Sequence, residues 1–192
     1  MIHGGRVSEQ YFWLNKPDFE VKENRLHITT FPDTDFWQRT HYGFRRDNGH
    51  CLLTKVKEDF SITVRTEFYP QEQYDQCGLI VRIDSENWIK TSMEYETETH
   101  SRLGSVVTNL GFSDWATLDI RSKIHSMWYR IQSRQHDFLI EYSYDGVSWN
   151  QLRITHLLSG FEELNIGLYA CSPGKGSFVS IFDKLLVEES RW

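Results

Sequence analysis

From Phe60 onward the chain alternates, with Phe60, Ile62, Val64 and Phe68 on one side of an extended backbone and Ser61, Thr63, Arg65 and Glu67 on the other. This two-residue period is that of a strand buried on one face. It returns at Leu26, Ile28 and Thr30, at Leu79, Val81 and Ile83, at Ile89, Thr91, Met93 and Tyr95, and at Phe138, Ile140 and Tyr142. Helical spacing is nearly absent, and the one stretch that could adopt it, His156 to Glu163, reads equally well as loop.

Turn signals separate these runs: Lys22-Glu23-Asn24, Asp47-Asn48-Gly49, Asp84-Ser85-Glu86-Asn87, Asp145-Gly146 and Ser172-Pro173-Gly174-Lys175-Gly176. Roughly fourteen short strands result. The pair Asp145-Gly146, between Phe138–Tyr144 and Val147–Leu152, predicts a type I′ hairpin, whose two central residues must accept positive φ. So many strands in one open sheet would leave long edges, so two packed antiparallel sheets are expected, most simply as a jelly-roll sandwich. A chain of 192 residues suits one such domain spanning residues 1–192 with short tails.

With 21 basic against 27 acidic residues, a net charge of -6 and no basic run, nucleic acid and anionic membrane are excluded as natural partners. The 7 Trp, 9 Tyr and 12 Phe imply that rings supply much of the buried area. Cys51, Cys77 and Cys171 show neither CxxC nor Cys/His ligand spacing, and read as reduced, buried thiols. Residues Met1 to Glu9 lack the apolar stretch of a secretion signal, so a cytoplasmic protein is expected. No HxH or HExxH spacing, Ser/His/Asp set or phosphate-cradling glycine loop is present, and no cofactor is implied.

Several runs are similar to one family: Thr34-Asp35-Phe36-Trp37 with Thr40-His41-Tyr42-Gly43, then Gln73-Tyr74-Asp75-Gln76-Cys77-Gly78-Leu79-Ile80-Val81-Arg82, then Glu86-Asn87-Trp88-Ile89-Lys90 with Glu94-Tyr95. Val106-Val107-Thr108-Asn109, Phe112-Ser113-Asp114-Trp115, Trp128-Tyr129-Arg130, Tyr142 to Trp149 and Gly167 to Pro173 continue the match in order. The chain thus resembles the YesU-like family of uncharacterised concanavalin A-like proteins, which includes a fungal protein named for regulation of enolase. The resemblance implies a two-sheet sandwich with a concave outer face like that of lectins and laminarinase-type glucanases, and it supplies no activity. It departs at Glu96-Thr97-Glu98-Thr99-His100-Ser101-Arg102, where a shorter turn is expected.

On an unbroken strand Lys90, Ser92, Glu94, Glu96 and Glu98 share one polar side, joined by Trp88 at its start. If that side is concave, Lys90 and Glu94 can bond sugar hydroxyls while rings stack on sugar faces; a solvated Lys–Glu pair is the alternative. Glu94-x-Glu96-x-Glu98 also resembles the Glu-x-Asp-x-Glu strand of laminarinase-type glucanases, although retaining hydrolysis needs carboxyls ~5.5 Å apart and alternate strand positions four residues apart lie ~13 Å apart. Trp37, His41 and Tyr42 lie in a loop-like segment, Asp33 to Arg46, and Trp115 at a strand entry; each is a candidate for a stacking platform or for core. Gln76 and Arg82 bracket Gly78, which marks a close approach of a ligand or of a neighbouring ring. Asn109 can face the groove or cap a turn. Asp33 and Asp35 are two carboxylates where calcium wants six to eight oxygens, so no metal site is expected. Ser143-Tyr144-Asp145-Gly146-Val147-Ser148-Trp149 resembles the structural Asp-box hairpin of sialidases, with Asp145 bonding the turn and Trp149 packing beneath.

The function expected is carbohydrate binding, of an oligosaccharide or small sugar, on a concave face using Trp37, His41, Tyr42, Gln76, Arg82, Lys90, Glu94, Asn109 and Trp115. The alternatives are a glycoside hydrolase with Glu94 as one carboxylate, and a protein-interaction module regulating a metabolic enzyme. A protein partner or a homodimer is compatible with each.

Overall fold

A computed structural model describes residues 1–3 and 5–192. Among the described residues, two seven-stranded antiparallel sheets account for fourteen strands, and two short strand pairs, Ile2–His3 with Arg6–Val7 and Phe36–Gln38 with Arg45–Asp47, complete the eighteen. The first sheet runs, in spatial order, Phe112–Arg121, His100–Asn109, Trp88–Tyr95, Gln76–Arg82, Leu164–Cys171, His50–Val56 and Phe12–Leu14. The second runs Asn150–His156, Asp137–Ser143, Ser126–Arg134, Phe60–Phe68, Val179–Glu189, Arg25–Thr29 and Asp18–Lys22. The described residues contain no helix, and His156 to Glu163 leaves its strand for loop.

The alternating residues of the sequence meet between the sheets. Leu79, Val81, Ile89 and Met93 of the first sheet face Ile62, Val64, Tyr129 and Ile131 of the second in one core. The Met93 N–H donates to the Tyr129 hydroxyl at 2.7 Å, a buried bond linking the two layers. The three thiols are free and buried, and burial pushes all of them up.

The polar side of the first sheet is not an open face along its whole length. The segment expected as a loop, Asp33 to Arg46, contains the strand Phe36–Gln38, which pairs with Arg45–Asp47 into a hairpin lying on that side. There Phe36 and Trp37 join Cys51, Leu53, Ile80, Trp88, Val106, Tyr169 and Cys171 in a second small core. Covering explains why Gln76–Arg82 is buried at every position rather than at alternate ones. Gly78 lies on this side too, and a Cβ there would fall 1.9 Å from the Thr91 carbonyl oxygen, so its role is close approach of the next strand.

The Asp145-Gly146 turn differs from the type I′ expectation. Only Gly146 has positive φ (76°), and the strands end at Ser143 and resume at Asn150, leaving a longer connection. Asp145 prevents the tighter turn because its carboxylate accepts the Ser148 and Val147 N–H groups, each at 2.8 Å, and the Ser143 hydroxyl at 2.9 Å. Those bonds draw its carboxyl down to about 2. The clasp therefore contributes above the ordinary carboxylate range and is lost as pH falls through about 2. Asp145→Ala should speed amide exchange at Val147 and Ser148 at pH 4 while leaving exchange in the strand Phe60–Phe68 unchanged; equal protection of the two amides in both proteins would show that the carboxylate does not hold the turn.

Candidate functional site

Where the hairpin stops short of the strand ends, a cleft of about 260 Å³ remains, floored by Gln76, Lys90 and Glu94 and walled by Trp37, Tyr42, Phe44, Tyr74 and Trp115. Strand register builds the floor. Gln76 lies opposite Glu94, and Ile80, Lys90, Val106 and Trp115 form one cross-strand row, so Lys90 and Trp115 share a face two strands apart. Asp35, at the start of the hairpin, completes the floor and Asp33, Arg46 and Pro173 edge it.

Lys90 is 3% exposed and spends its three protons inside the protein, on the Phe36 carbonyl at 2.8 Å, Gln76 Oε1 at 2.9 Å and Asp35 Oδ1 at 3.3 Å. The Gln76 amide nitrogen donates to Glu94 Oε2 at 2.8 Å and to the Tyr74 carbonyl at 3.1 Å. The Tyr169 hydroxyl lies 2.6 Å from Ser92 Oγ and 3.2 Å from Gln76 Oε1, bracing the amide. Burial at the cleft floor pushes the Glu94 carboxyl up to about 8, against the pull of Lys90, with Asp35 and Glu96 adding to the rise.

The rings form a connected wall. Trp37 meets Tyr42 edge-on at 5.4 Å and Trp115 at 6.5 Å, and Tyr42 stacks on Phe44 at 5.5 Å. Trp37 is nearly buried, its indole N–H donating to the Thr40 carbonyl, so it backs the wall while the more exposed Tyr42 and Trp115 face the opening. Tyr74 reaches the cleft through a backbone φ of 74°, an unusual conformation for a bulky residue that also aims its carbonyl at Gln76.

Of the residues named from the sequence, Trp37, Tyr42, Gln76, Lys90, Glu94 and Trp115 line this one cleft, whereas His41, Arg82 and Asn109 do not. His41 borders a shallow depression on the other side of Trp37 and Trp115. Arg82 holds Asp47 through two bonds of 2.7 and 2.8 Å and lies over the Phe36 ring, so it anchors the hairpin. Asn109 caps the junction with the neighbouring sheet edge, giving its amide to the His156 carbonyl and accepting the Leu158 N–H. The carboxylate series is broken as well: the strand ends at Tyr95, Glu96 turns to Arg102 and Gln73, and Glu98 is exposed in the turn. Phe44 and Tyr74 were not singled out by sequence reasoning, and Asp35 was considered only as a calcium ligand. Asp33 is instead bonded by Lys175 and Asp35 by Lys90, and the described residues hold no gathering of His, Cys, Asp and Glu suited to a metal.

A family described as protein of unknown function (DUF1349) matches residues 13–190. A Saccharomyces cerevisiae protein called Regulation of enolase protein 1 is 34% identical over 173 residues, which is 90% of this chain and 86% of that protein. A crystal structure of a functionally unknown protein from Saccharomyces cerevisiae superposes with a TM-score of 0.88 at 31% identity, covering 95% of this chain and 98% of the other. Carbohydrate binding module CBM66 from Bacillus subtilis shares the fold, with a TM-score of 0.59 at 11% identity over 94% of this chain and 96% of its own. No helix among the described residues is long and apolar enough to cross a membrane.

Proposed function

Because this chain belongs to DUF1349, a family of proteins of unknown function, we propose a function from its site: carbohydrate binding in the cleft of the first sheet, by one domain spanning residues 1–192. The observation that carries this reading is the single cleft in which Tyr42 and Trp115 face a floor of Gln76, Lys90 and Glu94. Flat rings take the apolar faces of a sugar, and fixed polar groups orient its hydroxyls. The fold shared with a carbohydrate binding module supports the reading. The narrower YesU-like assignment rests on the sequence motifs, and a cytoplasmic location is proposed from the reduced thiols.

A glycan array on the purified protein tests the proposal, and Trp115→Ala locates it. That variant should bind the captured glycan about fivefold more weakly, roughly 1 kcal/mol, while its Tm stays close to that of the parent. A matching loss of stability with no change in affinity would make Trp115 a packing residue.

Glycoside cleavage is a second reading, favoured by one observation: Asp35 shares the cleft with Glu94, whose carboxyl holds its proton to about pH 8. Release of reducing sugar from the array's positive glycans, lost in Glu94→Gln, would support it over binding alone. Regulation of a metabolic enzyme, which the name of the 34% identical relative suggests for that protein, would instead give one stoichiometric protein in a pull-down and no glycan signal.

A further inference from the structure

The hydrogen bonds on the cleft floor leave specific atoms free. Lys90 has three donors and three protein acceptors, and the Gln76 amide nitrogen has both protons placed. Asp35 Oδ1 takes the Phe36 N–H and Lys90, and Glu94 Oε2 takes Gln76. Among the described residues nothing bonds Asp35 Oδ2 or Glu94 Oε1, and neither is sealed from solvent. The floor thus offers a ligand carboxyl oxygens, while its one buried cation has no proton to spare.

Shape adds a second constraint. The hairpin Phe36–Gln38 and Arg45–Asp47 closes one side of the trough by packing on Trp88 and Tyr169, and Tyr74 and Pro173 also line it. The cleft, of about 260 Å³, is closed along that side by the hairpin, which leaves a glycan chain no path through it and favours entry by one end. We propose that the cleft takes the terminal unit of a neutral glycan end-on, reading its hydroxyls through Asp35 and Glu94 and rejecting a terminal acidic sugar. This inference rests on the carbohydrate reading above.

An acidic sugar would place its carboxylate beside Asp35 with Lys90 already committed, and a buried charge without a partner is strongly disfavoured. Of the other cations, Arg46 lies exposed at the mouth, donating to the Asp33 carbonyl with its guanidinium over Phe44, and Arg102, over the Trp115 ring, is paired with Glu96.

The test uses the full chain against immobilised neutral oligosaccharides of increasing length, each also prepared with a terminal uronic or sialic acid. Neutral forms should bind with an affinity that stays constant beyond about two units, and the acid-capped forms at least tenfold more weakly. Asp35→Asn, which keeps Oδ1 as an acceptor for Phe36 and Lys90, should narrow that gap at least threefold, measured on protein that circular dichroism shows to be folded. Equal or tighter capture of the acid-capped forms, or affinity that climbs with length, would overturn the inference while leaving carbohydrate binding intact. Absence of any glycan signal, neutral or acidic, would remove the carbohydrate reading itself.

Discussion

Lys90→Met is expected to lower the free energy of unfolding by about 3 kcal/mol or more and to abolish ligand binding, because it removes one partner of a buried ion pair and leaves the other without compensation. Methionine replaces the stem that lies between the Trp88 and Tyr169 rings, whose centroids are 5.7 and 5.6 Å from Nζ, so lost packing is a small part of the change. What remains is Asp35 Oδ1, Gln76 Oε1 and the Phe36 carbonyl, three acceptors arranged around one ammonium that is gone. Two of them belong to the hairpin that builds the cleft wall, so that wall should loosen before the sandwich core does. Urea unfolding together with near-ultraviolet circular dichroism measures both effects. Because the pair is coupled, Asp35→Asn should cost less in the Lys90→Met background than in the parent. A loss below about 1 kcal/mol, with additive single variants, would mean that water replaces the ammonium freely and that the floor is not a fixed scaffold.

The sandwich was legible because its core is written with a period of two, and runs such as Phe60 to Phe68 leave little choice about which side faces inward. The cleft was legible only in part, since alternation says that Lys90 and Glu94 avoid the core between the sheets but not what lies over them. A trace of the covering hairpin is present: Ile80, Trp88 and Val106 are apolar residues on the polar side, an expense that open strands avoid and covered ones require. Phe36, read as part of a loop, is the residue they receive. Arg82 and Asn109 misled because a strand's face does not disclose a partner distant in sequence, and theirs are Asp47 and the residues 156–158. Tyr74 depends on a positive φ that side-chain patterning does not encode.

Glu94→Gln should convert a pH-dependent stability into a flatter one. In the unfolded chain this carboxyl ionises near 4.5, whereas in the folded protein burial holds its proton to about 8. Between those values the folded state carries more protons than the unfolded state, so stability falls as pH rises. The contribution is fully present below about 4.5, is lost as pH rises through about 8, and changes little beyond. The charged groups setting that value are Lys90 and Arg102, which favour the anion, and Asp35 and Glu96, which oppose it. Glutamine stays neutral throughout and can still accept the Gln76 bond through its amide oxygen. The two proteins should therefore unfold at similar urea concentrations at pH 4.5, with the variant ahead by about 2 kcal/mol at pH 8.5, an amount reduced from ~1.4 kcal/mol per pKa unit because the cleft is open to water. Other titrating groups cancel in the difference between the two curves. Parallel curves across that range would mean that Glu94 is ionised at neutral pH, and the floor would then offer a bound sugar two carboxylates rather than one carboxylate and one acid.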